Sequence, residues 1–286
     1  MNIIAIIVTY QSNLQVLREI IRVLTKQCYL IIADNSLAPA DRQSVEDCLM
    51  TDGGAYIPMH GNRGIGAAQN KAIALAWSKG AEAVLLLDDD SIPPPDLIDH
   101  LRICAQRLGG HAVVGANAVD SLGREISNAR HVPGNMPECR DMMSSGALIR
   151  REIFERVGSF DESLFVDGVD FDWGWRARRA GIALHLCRAT SIQHRLGEGD
   201  VAGVRYPSPV RHYFQYRNIL RLMGRSYVPW RWRLSQMIKL PTKLLLIAAL
   251  MPQKSRRLQF AFAGIWDAML GRSGPWPAPR KSDTKR

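Results

Sequence analysis

The chain has 286 residues, enough for one large domain or two small ones, and 47% apolar against 22% charged residues excludes a disordered polypeptide. The net charge of +10 sits at one end: residues 221–286 hold fourteen Lys and Arg against Asp267 and Asp283, so the first 220 residues sum to −2. The five cysteines (Cys28, Cys48, Cys104, Cys139 and Cys187) are odd in number, widely spaced and never in CxxC, which argues against a disulfide framework or zinc cluster and for a reducing compartment.

The opening MNIIAIIVTY lacks a basic n-region and turns polar after eight residues, so it reads as a first core strand, Ile3 to Val8, and not as a signal peptide. Leu14, Leu17, Ile20, Ile21 and Leu24 recur at helical spacing and predict a helix from Leu14 to Lys26. Leu30 to Ala33 is a second strand, Ala40 to Leu49 a polar helix, and Tyr56 to Met59 a third strand closed by Gly61, Asn62, Arg63 and Gly64. The alanine-rich Ala67 to Lys79 is helical and leads into Val84–Leu87, a short apolar strand. This alternation predicts an α/β fold with a mostly parallel, Rossmann-like sheet flanked by helices.

That fourth strand ends in Asp88, Asp89 and Asp90, then Ser91, Ile92 and three prolines. Proline cannot donate to a ladder, so the strand stops there and three carboxylates stand at its carboxyl end, where open α/β sheets bind ligands. Adjacent acids repel, and a shared cation relieves them; a solvated acidic turn is the alternative. Thr9-Tyr10 and Asp34-Asn35-Ser36 end two other strands, so all three clusters face one crevice. The crevice has neither GxGxxG after the first strand nor GxxxxGK[ST] anywhere, which excludes the two common phosphate cradles. Beyond it, Asp96 to Leu108 is a helix, Ala112 to Ala116 a strand, 121–139 a loop, and Arg151 to Val157 a helix ended by Gly158.

A second acidic cluster, mixed with aromatic residues, follows in FDESLFVDGVDFDWGWRARRAG, residues 160–181. A helix from Asp170 to Arg179 places Asp170 and Asp172 near its N-terminus, where the dipole favours negative charge. Asp170 is then either a base or a cap. Trp173 and Trp175 are either core or a stacking surface for a sugar ring, and Asp172 and Trp173 are the candidates for an acceptor side. Ile182 to Leu186 and Ala189 to Gln193 read as strands, the second an edge strand leading to His194, a solvent-exposed histidine or a metal ligand.

Six pieces in order, IIVTYQSN (6–13), ADNS (33–36), GNRGIGAAQN (61–70), LLLDDDSIPPP (85–95), the run from Ser145 to Gly181, and SIQHRLG (191–197), resemble the family 2 glycosyltransferases of GT-A fold, and among them bacterial rhamnosyltransferases. The resemblance spans residues 3–220. It implies that Thr9 and Tyr10 line a base pocket, that Asp34 bonds a pyrimidine, and that Asn62, Gly64, Gln69 and Asn70 border the nucleotide and donor sugar. Asp88 and Asp90 match the DxD motif, with Mg²⁺ or Mn²⁺ on Asp90, Asp88 and His194, while Asp89 stands where related sequences often carry Gln. Asp170 matches the general base, although Val169 replaces the Glu that many relatives have beside it. The implied reaction is an inverting, metal-dependent transfer of L-rhamnose from dTDP-L-rhamnose to a glycan or lipid-linked acceptor in cell-envelope polysaccharide synthesis. A non-catalytic nucleotide-sugar sensor of the same fold is the alternative. A nucleotidyltransferase needs a glycine-rich basic loop that VTYQSN does not supply.

These readings divide the chain into a GT-A domain (1–220), a basic helical extension (221–270) and a disordered tail (271–286). Just before the extension, Tyr213, Arg217 and Asn218 resemble a segment that relatives place below the acceptor site; within the extension come Trp230, Trp232 and an apolar run, Leu244 to Met251, bracketed by Pro241 and Pro252 and too short to span a bilayer. With Lys239, Lys243, Lys254, Arg256 and Arg257 nearby, residues 226–270 suit either an anionic membrane surface or a helix pair packed on the domain with a solvated basic face. No nucleic-acid motif accompanies the charge, so nucleic acid is not expected as a partner. The expected location is cytoplasmic, peripheral on the inner face of the cell membrane.

Overall fold

The computed structural model describes residues 1–50, 53–120, 122–127, 132–194, 199–201 and 204–277. The first half alternates as the sequence predicts: β1 (Ile3–Thr9), α1 (Leu14–Leu24), β2 (Tyr29–Asp34), α2 (Pro39–Met50), β3 (Ala55–Pro58), α3 (Ile65–Ser78) and β4 (Ala83–Asp88). Then come β5 (Ser91–Ile92), α4 (Leu97–Arg107), β6 (Val113–Val119), β7 (Ala147–Arg150), α5 (Arg151–Val157), α6 (Val169–Arg179) and β8 (Leu184–His194). A small antiparallel pair, β9 (Gly199–Val201) with β10 (Val204–Tyr206), precedes α7 (Arg211–Met223), α8 (Trp230–Leu250) and α9 (Lys254–Met269).

Eight strands form one sheet in the order β3-β2-β1-β4-β7-β6-β8-β5. The β3-β2-β1-β4 half is parallel, as is β6 with β8, whereas β7 runs against both β4 and β6, and β5 against β8. Side chains alternate across each strand and so build two cores. Ile4, Ile6, Val84 and Leu86 pack on one face, while Ile3, Ala5, Ile7, Leu85 and Leu87 pack on the other. α1 starts where Asn13 Oδ1 accepts the N–H groups of Gln15 and Val16 at 3.0 and 3.3 Å.

Three expectations need correction. Ala189–Gln193 is no separate edge strand: β8 is continuous, its register to β6 slips between Ala116 and Asn117, and β5 covers its outer side. Cys104 of α4 and Cys187 of β8 are bonded, with Cα atoms 6.1 Å apart, because α4 crosses β8; a separation of 83 residues carries no local signal of that approach. Pro241, which precedes the apolar run, lies inside α8. Finally, residues 271–277 belong to the folded body: Trp276 sits 4.3 Å from the Tyr213 ring, centroid to centroid, and against Phe260. Residues 278–286 lie outside the described residues.

The C-terminal helices pack on the domain through α7. A Cβ on Gly264 would lie 2.3 Å from the Tyr213 carbonyl oxygen, so only glycine permits the close crossing of α9 over α7. Tyr213 donates its hydroxyl to Asp267 at 2.8 Å, and Arg257 donates to the Pro207 carbonyl at 2.6 Å. The outward face of the same helices stays uncovered, with Trp230, Met237, Leu245, Phe262, Trp266 and Met269 all more than half exposed. Among the described residues no helix is long and apolar enough to cross a membrane.

Candidate active site

The carboxyl ends of β1, β2 and β4 meet as expected, but not every predicted residue reaches open space. Thr9 donates to Asp34 Oδ1 at 2.8 Å, the Ser36 N–H to the same oxygen at 2.9 Å, and Tyr56 to Asp34 Oδ2 at 2.8 Å. Thr9 and Asp34 have no exposed surface, so they brace the crevice floor instead of presenting groups to a base. Tyr10, 42% exposed, is the member of this group that can meet a ring. Asp89, expected at the donor, holds its loop through Oδ2, which accepts from the Tyr10 N–H and the Ser12 hydroxyl.

The GNRG loop is tied to the same floor. Asn35 accepts the Arg63 N–H at 2.9 Å, and Asn62 Oδ1 accepts the Gly64 N–H at 2.9 Å. Gly64 has φ +88°, and a Cβ there would lie 2.5 Å from the Phe165 carbonyl oxygen, which also accepts the Ile65 N–H at 2.8 Å. Thus the loop expected at the donor touches the segment that precedes α6. Asn70 departs from its expected role. Its side chain donates to the Phe160 carbonyl and Glu162 and accepts the Phe160 N–H, clamping that segment rather than bordering a sugar. Gln69 is buried, and its Oε1 has no hydrogen-bond partner among the described residues.

Asp88, Asp89 and Asp90 stand at the end of β4. Burial, then the carboxylates of Asp90, Asp89 and Asp170, push Asp88 up to about 7, with Arg211 opposing. Ser145, the first residue of the matched run to Gly181 and given no site role there, accepts the Asp88 N–H at 3.1 Å and donates to Ser91 at 2.9 Å, so the SSG turn before β7 fixes the acid cluster. The cluster fits a hard divalent ion only in one manner. Among the described residues no three His, Cys, Asp or Glu groups converge on a point. Mg²⁺ commonly takes one or two carboxylates, keeps several waters and completes its shell with substrate phosphate, and Asp88 with Asp90 can serve such an ion. His194 is paired in register with Ser91, next to Asp90; its side chain and residues 195–198 lie outside the described residues.

Asp170 lies on the helix that faces these acids. Gly168, with φ +93°, occupies the cap position of α6, which settles that Asp170 is not the cap. Its Oδ1 accepts the Phe171 N–H at 2.9 Å. Burial, opposed by that N–H and reinforced by Asp167 and Asp141, pushes Asp170 up to about 6. A carboxylate of that pKa is ionised at neutral pH yet basic enough to accept a proton.

Asp172 and Trp173 do not form an acceptor side. Asp172 is fully buried and receives Arg176 at 2.9 Å together with Arg225 and Tyr227, while Arg225 also binds Asp161. Removing one partner from such a buried network typically destabilises by about 3–5 kcal/mol. Trp173 is buried beside Phe160 and donates its indole N–H to the Gly158 carbonyl at 2.8 Å. Residues two apart on a helix point about 200° away from each other, so Asp170 and Asp172 take opposite faces. Two further side chains enter the site: Asp167, one of the acids of the 160–181 stretch, paired with Arg211 at 2.8 Å, and Arg211, which no motif announces and whose charge reaches Asp88.

A doubly covered α/β sheet with an acid cluster at the carboxyl end of its fourth strand is the layout of the GT-A fold. The chain belongs to glycosyl transferase family 2, which its residues 4–158 match. It is similar to the dTDP-rhamnosyl transferase RfbF of Shigella flexneri, 32% identical over 246 residues that cover 80% of this chain and 82% of that one. Among solved structures it resembles S. aureus TarS 1–349 in complex with UDP-GlcNAc, with a TM-score of 0.52, 17% identity, and coverage of 96% of this chain and 74% of that one. It spans 44% of the longer TarS chain. GalNAc-T7 with UDP, GalNAc and Mn²⁺ matches 83% of this chain and 54% of that one at a TM-score of 0.57 and 12% identity. These likenesses to solved structures speak for the fold alone.

Proposed function

We propose that this enzyme transfers L-rhamnose from dTDP-L-rhamnose to a glycan or lipid-linked acceptor in cell-envelope polysaccharide synthesis, with inversion at the anomeric carbon. The observation that carries the reading is Asp170, with its pKa pushed up to about 6, facing the Asp88–Asp90 cluster. The similarity to the Shigella enzyme supports the choice of donor. Asp170 takes the proton of an acceptor hydroxyl as that oxygen attacks the anomeric carbon from the face opposite the diphosphate. One displacement completes the transfer, so the protein needs no covalent nucleophile. Asp88, Asp90 and His194 are the groups assigned to Mg²⁺ or Mn²⁺, which would neutralise charge developing on the departing diphosphate. Tyr10 stacks on the base, and Asn62, Gly64 and Gln69 border the donor.

Slow release of dTDP from dTDP-L-rhamnose, abolished by EDTA and restored by Mg²⁺ or Mn²⁺, is the expected result of a nucleotide-sugar screen. Faster turnover of a different nucleotide sugar would replace the donor, and metal-independent turnover would remove the cation from the scheme.

The extension supports a location at the inner face of the membrane. An exposed apolar face on α8 and α9, in an extension (221–270) where nine Lys and Arg stand against Asp267, a surplus of +8, matches an anionic lipid surface. The enzyme should float with vesicles of phosphatidylglycerol and phosphatidylethanolamine at low salt and be released as salt rises. Absence from the floating fraction at low salt would rule this out.

A further inference from the structure

Beside the crevice, between α6, α7 and α8, lies a cavity of about 410 Å³, within the range typical of small-molecule sites. Its α8 wall is made of Trp232, Gln236, Lys239 and Lys243, whose spacing places them along one face of the helix. Asp167 and Gly168 form the wall nearest the active site, two residues before the base Asp170. The cavity therefore reaches the segment that carries the base.

Its two ends differ in chemistry. At one end Trp232 meets the Trp175 ring edge-on at 4.8 Å, beside Phe171 and Leu222. At the other end Lys243, half-buried, donates to the side-chain carbonyl of Gln215, and Lys239 follows one turn away. Neither lysine forms an ion pair among the described residues. The acids of the cavity are engaged elsewhere: Asp167 by Arg211 at 2.8 Å, and Asp141 by the Trp175 indole N–H at 2.6 Å. Burial pushes the Lys243 pKa down, with Asp167 opposing and Arg211 adding a smaller push in the same direction as burial. An anionic group entering here would complete an incomplete electrostatic arrangement.

We propose that this cavity receives the acceptor and that Lys239 and Lys243 hold a phosphate or diphosphate group attached to it. The proposal rests on the glycosyl-transfer reading above. Such a group could belong to a lipid carrier or to a soluble sugar phosphate. The first finds an apolar path nearby, because Leu234, Met237, Ile238 and Leu245 lie exposed on the remaining surface of α8.

The test is calorimetric titration of the full chain with n-decyl phosphate, n-decyl glucoside and inorganic pyrophosphate. The variants are Lys239→Gln/Lys243→Gln and, as the charge-preserving control, Lys243→Arg. Decyl phosphate is expected to bind the wild type and to bind the double Gln variant at least about tenfold more weakly, the scale of a lost charge-assisted hydrogen bond. Lys243→Arg should retain binding, and decyl glucoside should not distinguish the proteins. Pyrophosphate binding as tight as that of decyl phosphate would support a soluble source; much weaker binding would support a lipid. Equal binding of decyl phosphate to wild type and the double variant would overturn the proposal, as would loss of dTDP binding in that variant, which would give the lysines to the donor. Failure of the wild type to bind any nucleotide sugar while decyl phosphate binding still depends on the lysines would defeat the transferase reading and leave the anion site standing.

Discussion

Replacing Asp170 by Asn is expected to lower the transfer rate by about 10²- to 10⁴-fold, the usual contribution of a positioned general base. Asn is isosteric and its Oδ1 can still accept the Phe171 N–H, so the turn at the start of α6 is retained and only proton acceptance is lost. The dTDP-induced thermal shift should stay close to that of the wild type. A pH profile adds an independent check. Burial, with the carboxylates of Asp167 just before α6 and Asp141 in the loop before β7, keeps its pKa near 6, and Asp88 at the end of β4 is the acid it faces across the crevice. The reaction needs the ionised form, so at saturating metal the wild-type rate should fall about tenfold per pH unit below 6 and level off above it. The residual rate of Asp170→Asn should lack this limb. Turnover within a few-fold of wild type would take the base assignment away from Asp170.

Much of this site was legible because it depends on periodicity and chain order. Apolar strands ending in Thr9-Tyr10, Asp34-Asn35-Ser36 and Asp88-Asp89-Asp90 have to deliver those groups to one sheet edge if the strands are parallel, and they are. What periodicity could not supply is which groups at that edge remain open. Tyr56, two residues into β3, closes over Asp34 by a bond across 22 positions, and nothing local to either residue signals it. Asn70 lies in a matched motif, yet its partner Phe160 is 90 residues away. Asp172 illustrates the same limit differently. The acidic and aromatic residues of 160–181 look like one constellation, but the helical turn separates Asp170 from Asp172, and Arg225 from beyond α7 claims the second. The Cys104–Cys187 bond likewise depends only on how α4 crosses β8.

The segment between Leu164 and Gly168 links these observations, and Asn218→Ala should show its importance. Three of its residues adopt positive φ: Phe165 at +67°, Asp167 at +58° and Gly168 at +93°. For the first two this conformation is unfavourable and has to be held by its surroundings. Asn218 does so from α7, donating its amide to the carbonyls of Leu164, Val166 and Asp167 at 2.8, 2.5 and 2.8 Å. Arg217 adds a bond to Leu164 at 3.0 Å. Truncation to Ala leaves buried carbonyls without this donor, a loss of about 1–3 kcal/mol of stability. It also frees the turn that aims Asp170, and displacement of a reacting group by about 1 Å can lower a rate some 10²-fold. Asn218→Asp has the same shape but offers an acceptor to three acceptors, so it should be at least as damaging as Ala; a purely steric role predicts the opposite order. Measured well below the melting temperature of each variant, kcat should fall while dTDP affinity changes little. The acid limb near pH 6 should move, because Asp170 would no longer be held in its buried position. Wild-type turnover with an unshifted pH profile in Asn218→Ala would mean that this segment keeps its shape without α7, and that Asn218 only contributes to packing.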